Sequence, residues 1–174
     1  MNKSNLIIRN AKPDEFEAIG QLMVDVYSQL KGFPNRTEQP GYYMMLANIG
    51  DFTEKENTEL LVAISEENIV VGGVVHFSDM ANYGSGGTAT TIKNASGFRL
   101  LAVDPETRSN GIGRLLCEAC INRAKNLNQN ELIIHSTESM KIAREMYKRL
   151  GFVRFKAIDF MQGELPVFGF KLEL

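Results

Sequence analysis

The sequence contains little of several residue types that characterise particular classes of protein. Its 174 residues include only two cysteines and two histidines, and 19 basic residues stand against 21 acidic ones, for a net charge of −2. Because surfaces that bind nucleic acid need a basic surplus, this balance predicts no nucleic-acid partner. No second cysteine pair or histidine cluster with metal-ligand spacing is present, so no metal is predicted.

Long hydrophobic runs are also missing. No run approaches the ~18 residues that a membrane span needs, and residues 1–10 lack the apolar segment of a targeting signal. Cys117 and Cys120 lie in a stretch with helical apolar spacing, which favours buried core thiols over a redox pair or half of a metal site. Unpaired cysteines suit a reducing compartment. We therefore expect a cytoplasmic protein without a membrane partner.

The hydrophobic pattern predicts one domain over residues 1–174, with strands and helices along its whole length. Strands are predicted at Leu6–Arg9, Leu60–Ile64, Ile69–Phe77, Gly97–Val103, Glu131–Thr137, Phe152–Asp159 and Val167–Leu172. Helices are predicted from Pro13 to about Leu30, from Gly41 to about Gly50, from Ile112 to about Asn126 and over Glu138–Leu150. Asp79–Ser96, rich in Gly, Ser, Thr and Asn, predicts a long flexible loop.

The stretch Leu100–Leu116 carries the clearest chemical signal. An apolar strand stops at Asp104-Pro105, because proline cannot donate to a strand ladder, and a helix begins shortly afterwards. The first turn of that helix has free backbone N–H groups and partial positive charge. Gly111 and Gly113 would let an anion approach the backbone, and Arg108 and Arg114 would add charged donors. A pyrophosphate fits this description, although a plain turn explains a lone G-x-G equally well.

Two familiar phosphate-binding motifs do not match these residues. A nucleoside-triphosphate loop needs a lysine after its last glycine, whereas Gly113 is followed by Arg114 and Leu115. A dinucleotide fingerprint needs a glycine or alanine where this chain has Leu116. Both kinds of nucleotide site are therefore disfavoured.

The run from Arg108 to Gly113 resembles the acetyl-CoA loop R/Q-x-x-G-x-G/A of the GNAT N-acetyltransferase superfamily. A second block, A-R-E-M-Y-K-R-L-G-F from Ala143 to Phe152, is similar to the A-x-x-x-Y-x-x-x-G-F signature of the same superfamily. The resemblance implies an α/β (α+β) fold with a central mixed, mostly antiparallel, twisted sheet of about seven strands and about four helices. It also implies that the sheet opens between the strand ending at Val103 and the strand around Ile133–His135 to form an acetyl-CoA cleft.

The resemblance also implies which residues would bind acetyl-CoA as co-substrate. The pantetheine arm would pair with the backbone of Leu101, Ala102 and Val103. The pyrophosphate would rest on the N–H groups of the loop, with one further arginine nearby; these residues are Arg108, Ser109, Asn110, Gly111, Ile112, Gly113 and Arg114.

Tyr147 matches the superfamily's tyrosine and is the candidate general acid for the CoA thiolate. Taken alone, without the loop motif, it is better explained as a core residue beside Met146. The titratable candidates for the base are His76, Asp79 and His135, and His135 is preferred because its strand is predicted to border the cleft and imidazole is suited to proton transfer near neutral pH. A histidine satisfied by its neighbours and deprotonation through water are the alternatives. Many relatives carry a glutamate on the strand at Gly97–Leu100, where this chain has no carboxylate, and Met140 stands where relatives often have an asparagine. Ser136, Thr137 or Ser139 are candidates to replace that asparagine.

These expectations add up to direct transfer of an acetyl group from acetyl-CoA to a primary amine of a small molecule, amino acid or peptide. The alternative is an acyl-CoA-binding sensor domain of the same fold that has lost catalysis. The acceptor pocket is expected between Tyr27 and Tyr43 and in the Asp79–Ser96 loop. A homodimer is common among proteins of this type, and the sequence does not require one.

Overall fold

The structure is a computed structural model that describes residues 5–174. In this range the chain forms eight strands: β1 (Ile7–Asn10), β2 (Thr58–Ile64), β3 (Val70–Phe77), β4 (Ala95–Val103), β5 (Glu131–Ser136), β6 (Val153–Arg154), β7 (Phe160–Gln162) and β8 (Leu165–Glu173). It also forms four α-helices: α1 (Phe16–Ser28), α2 (Pro40–Ala47), α3 (Ile112–Asn126) and α4 (Lys141–Arg149).

The strands make one open sheet in the order β1-β2-β3-β4-β5-β8-β6, and β7 pairs with the start of β8. Every neighbouring pair is antiparallel except β4 and β5, which run parallel. This confirms the prediction of a mixed, mostly antiparallel sheet with four helices. The sheet has eight strands, whereas about seven were predicted.

Two hydrophobic cores lie on opposite faces of the sheet. The first contains buried residues of α1 and α2, such as Met23 and Leu46. The second contains buried residues of α3 and α4, among them Leu116, Cys117 and Cys120. Both cysteines are free and buried, so they are core thiols, as predicted. Within the described residues, no helix combines the length and apolarity needed to cross a membrane.

The prediction of one strand over Phe152–Asp159 is wrong. Only the two residues of β6 pair with β8, and the chain then turns through Lys156–Ile158 before β7 begins. The turn brings the buried side chain of Ile158 over Gly169, where a Cβ would lie 2.2 Å from Ile158 Cγ1. A straight strand would keep Ile158 out of this contact.

The segment predicted as a flexible loop, Asp79–Ser96, is packed onto the sheet. It contains two short 3-10 turns, and Met80, Tyr83 and Ala89 are buried in the first core. The ring of Tyr83 lies over Gly97, where a Cβ would come within 2.8 Å of it. The absence of a side chain at Gly97 thus makes room for the aromatic ring that anchors this segment.

His76, on β3, is completely buried, and neither of its ring nitrogens has a hydrogen-bond partner in the described part of the chain. It pairs in register with Glu59, whose carboxylate binds Arg123 at 3.0 Å. Burial lowers the pKa of His76 to about 4, because the imidazolium form would lose its hydration.

We expect His76→Leu to make the protein more resistant to acid. An unfolded chain has a histidine pKa of about 6.5, so as the pH falls toward 4 the unfolded state binds a proton that the folded state does not. In wild type this lowers the free energy of unfolding by about 3 kcal/mol over that window. Urea unfolding of both proteins between pH 7 and 4 measures the effect: the midpoints should diverge as the pH falls, and parallel profiles would contradict the prediction.

Candidate active site

The sheet opens between β4 and β5. These strands pair over three positions, Ala95–Gly97 with Glu131–Ile133, and residues 98–103 of β4 have no partner on that side. Gly73 faces Ala102 and Val75 faces Arg99, so Val74 lies opposite two residues of β4. Such a β-bulge bends the strand that carries the extra residue. The bulge and the short pairing together leave a wedge-shaped gap.

The extra residue of the bulge is Leu100, whose φ of 60° is left-handed. A leucine rarely adopts this conformation, at a cost on the order of 1–3 kcal/mol, and such strain concentrates at functional sites. The bulge breaks the alternation of side chains: Phe98 is buried in the second core, whereas Leu100, two residues later, is buried in the first. Because of the bulge, the backbone and side chains after Gly97 change direction and follow the gap.

The gap is part of a cleft of about 870 Å³, called here the central cleft. Its walls are β4, β5, the start of α3, α4, and the end of α1 with the aromatic residues that follow. Five cationic side chains line it: Arg99, Arg108, Arg114, Lys141 and Arg149. Among the described residues that line the cleft there is no aspartate or glutamate. Its charge therefore favours an anionic ligand.

One end of the central cleft is the turn that leads into α3. Ser109 and Gly111 have φ values of 71° and 76°, both left-handed, and Gly111 is the N-cap of the helix. The first hydrogen bond onto this helix runs from Leu115 N to Gly111 O, 3.0 Å, so the backbone N–H groups just before it are free of helical partners. Consecutive N–H groups in such a turn form an anion-binding concavity.

The residues proposed for the cofactor divide into two groups. Lining the central cleft are Leu101, Val103, Arg108, Ser109, Gly111, Ile112, Gly113 and Arg114. Ala102 is buried in the first core, and the Asn110 amide donates to Thr107 O at 2.9 Å. Arg114 also binds Glu118 at 2.8 Å, which offsets part of its charge. Met140 lines the cleft together with Ser136, Thr137 and Ser139, the candidates to replace the asparagine of relatives.

Tyr147 reaches the central cleft from α4, and only 6% of its surface is exposed. Its ring packs against Phe98 and Phe152, with centroids 5.9 and 5.8 Å away. Burial raises the pKa of its phenol well above the usual 10, so the hydroxyl keeps its proton at neutral pH. That hydroxyl has no hydrogen-bond partner within residues 5–174. A ligand in the cleft could therefore accept its proton.

His135 lies on the opposite wall, at the end of β5. Its Nε2 is 2.9 Å from the carbonyl oxygen of Ile158, which can only accept, so Nε2 carries the proton. Nδ1 is then the acceptor, 2.9 Å from the Tyr83 hydroxyl and 3.3 Å from the Ser85 hydroxyl. Burial lowers the pKa of His135, which keeps the ring neutral at pH 7.

An aromatic cluster lines the part of the central cleft around Arg99, whose charge acts on two of its rings and on His135. Tyr27, Phe33 and Tyr42 lie with ring centroids 5.6–6.1 Å apart, and all three line the cleft, as does Ser85. The two segments expected to build an acceptor pocket therefore both reach this part of the cleft. Sequence reasoning did not identify Arg99, Phe160 or Gln162, which also line it. Its position could have indicated Arg99 as a site residue, because it lies on the strand where relatives often carry a glutamate.

The model of the acetyltransferase (GNAT) domain family matches residues 26–174. No curated protein matches the chain. The fold is similar to that of an acetyltransferase of the GNAT family from Staphylococcus aureus Mu50, with a TM-score of 0.74 at 18% identity over 97% of this chain and 99% of that one.

Two similar structures contain a bound cofactor. The PaiA N-acetyltransferase from Thermoplasma acidophilum, in complex with coenzyme A, has a TM-score of 0.74 at 12% identity, over 97% of this chain and 99% of that one. The putative acetyltransferase YncA from Salmonella typhimurium, with its cofactor acetyl-CoA, has a TM-score of 0.67 at 15% identity, over 98% and 95%. At these identities the likeness concerns the fold, while the family model covers most of the sequence. The chain belongs to the GNAT acetyltransferase family.

Proposed function

We propose that this protein transfers the acetyl group of acetyl-CoA directly to an amine of a small molecule, amino acid or peptide. The observation that carries the proposal is the continuous central cleft. It has free helical N–H groups and cations at one end and an aromatic pocket beside His135 at the other. A donor with a pyrophosphate and an acceptor without one could meet in its middle.

The donor would lie along the open edge of β4. On the side of β5 the backbone of residues 98–103 pairs with no strand and offers hydrogen-bonding groups to an extended pantetheine arm, as an added strand would use them. One of these groups, the Leu101 carbonyl oxygen, already accepts the Tyr27 hydroxyl at 3.3 Å. The pyrophosphate would then meet the left-handed turn from Arg108 to Gly113 at the start of α3. Bound CoA and acetyl-CoA in the similar Thermoplasma and Salmonella proteins support this choice of donor.

The reaction would form a C–N bond to the acetyl carbon and break its C–S bond. A backbone N–H of β4 could hold the oxyanion, as preorganised donors do in acyl transfer. Neutral His135 would take the proton of the attacking amine, through Ser85 or directly. The Tyr147 phenol would donate to the leaving CoA thiolate. Cys117 and Cys120 are buried away from the cleft, so no acyl-enzyme on either is proposed.

A second candidate is a sensor that binds acyl-CoA without using it. The lack of a carboxylate among the described lining residues favours this candidate, because a glutamate base is common in related enzymes. Steady-state release of CoA thiol in the presence of amines separates the two. An enzyme consumes acetyl-CoA in proportion to time, whereas a sensor binds it and releases no thiol.

The donor site is tested by thermal shift with acetyl-CoA, CoA, ATP and NAD. We expect stabilisation by the two CoA compounds only, since a ligand that binds the folded state raises its melting temperature. Gly111→Glu should abolish that shift by placing a carboxylate in the phosphate site. Gly111→Ala is the matched control: both variants strain the left-handed position, but alanine adds no charge and should keep most of the shift. Equal shifts with ATP or NAD would contradict the proposal.

A further inference from the structure

Arg99 is the cation of the central cleft that lies on β4. It follows the last β4 residues that pair with β5, and it is half-buried. Its Nη1 donates to the carbonyl oxygen of Tyr83 at 2.8 Å, and the guanidinium carbon lies 5.7 Å from the Tyr83 ring centroid. Within residues 5–174, no carboxylate lies within 4.0 Å of its guanidinium nitrogens. The remaining N–H donors of the fork are thus left for a ligand.

The acidic residue whose charge reaches His135 is already paired with an arginine. Asp159, whose charge acts on His135, receives two hydrogen bonds from Arg154, at 2.8 and 2.7 Å. It also accepts the backbone N–H of Gly169 at 2.7 Å. These bonds hold the pKa of Asp159 below its usual value, so its carboxylate is ionised and occupied. It is not a free counter-ion for Arg99.

The surroundings of Arg99 are aromatic and weakly polar. Its positive charge acts on the phenols of Tyr27, Tyr42 and Tyr83, where it opposes the rise in pKa that burial causes. Such walls exclude water, and an anion pairs with a guanidinium more strongly where water is excluded. The other cations of the cleft belong to the α3 turn and to α4. Arg99 therefore stands apart from the groups proposed for the phosphates.

We propose that the acceptor is an amine that also carries a carboxylate, as a free amino acid does, and that Arg99 binds this carboxylate. The inference rests on the proposed acetyl transfer and specifies the substrate class of that site. A planar guanidinium binds a carboxylate through two parallel N–H donors, which fixes the amine on the other side of the substrate's α-carbon. Polyamines, which bring only positive charge, would be repelled by the same residue.

The test compares L-methionine and L-phenylalanine with their carboxamides as acceptors in the thiol-release assay. The members of each pair differ in the carboxylate, which also raises the pKa of the neighbouring amine, so the acid-to-amide ratio of kcat/KM in Arg99→Met serves as the reference. In wild type we expect that ratio to be about tenfold to a hundredfold higher than in Arg99→Met, the range of a charge-assisted hydrogen bond. The difference should arise chiefly from KM for the acid, and Arg99→Lys should keep part of it. A ratio that is the same in wild type and Arg99→Met would overturn the inference.

A structural role for Arg99 gives a different result. If Arg99 only anchors the Tyr83 segment, Arg99→Met lowers the rates of acid and amide together and leaves their ratio unchanged, which also overturns the inference. Thermal shift with CoA plus N-acetyl-L-methionine or its amide tests the same site by binding alone, without turnover. A shift for the acid alone, lost in Arg99→Met, supports the site even without catalysis. Failure of the proposed function is separate, because then neither the acids nor the amides release thiol, whether or not CoA itself gives a shift.

Discussion

Tyr147→Phe is expected to lower kcat for acetyl transfer by about 10²- to 10⁴-fold, the usual contribution of a positioned general acid. The phenol holds the proton that the thiolate needs, because a tyrosine pKa is ordinarily about 10 and burial raises it further. The same dry surroundings raise the pKa of the departing thiol, since desolvation disfavours the anion. Phenylalanine keeps the ring that packs against Phe98 and Phe152 and removes only the hydroxyl.

The measurement is steady-state thiol release at saturating acetyl-CoA, and its control is the thermal shift with CoA. Tyr147→Phe should bind CoA like wild type, because the pyrophosphate turn is on a different helix. A selective loss of kcat then assigns the hydroxyl to the chemical step. A kcat within about threefold of wild type would mean that Tyr147 is a core residue and that water protonates the thiolate.

Sequence signals of short range predicted the framework of the candidate site well. Asp104-Pro105 ended the predicted strand at Val103, where β4 does end, because a proline's effect on its neighbours is local. The residues around Gly111 and Gly113 predicted the start of α3, since a glycine N-cap in the left-handed conformation needs no tertiary partner. The end of β4 and the start of α3 are each determined by residues only a few positions away in the sequence.

What the sequence did not predict depends on contacts between distant segments. The turn at Lys156–Ile158 exists because Ile158 packs over Gly169, and Tyr83 is buried because Gly97 leaves space for it. Polar composition therefore suggested a flexible loop where the chain is anchored. Arg99 was missed for the same reason: its surroundings come from Tyr83 and from the aromatic cluster after α1, none of them near it in sequence.

His135→Gln is expected to lower kcat by about 10²- to 10⁴-fold at pH 7 and to change the pH dependence of the reaction. Burial lowers the pKa of His135 from 6.5, so the ring is neutral and able to accept a proton at pH 7. In wild type, kcat should fall only as the pH drops below 6.5 toward the lowered pKa, where the imidazole becomes protonated. Glutamine can still donate to Ile158 O but cannot take the proton, so this acidic limb should disappear.

The control for this experiment is the other histidine. His76 is completely buried and does not line the central cleft, so His76→Leu should keep the acidic limb of kcat. Measuring kcat at saturating acceptor reports groups of the ternary complex, which separates them from titration of the free amine in solution. If His135→Gln retains the limb, the proton goes to water, because the described cleft lining offers no carboxylate to take it. If only His135→Gln loses it, Nδ1 of His135 receives the amine's proton, directly or through the Ser85 hydroxyl, and the Tyr83 hydroxyl must stop donating to Nδ1 during the reaction.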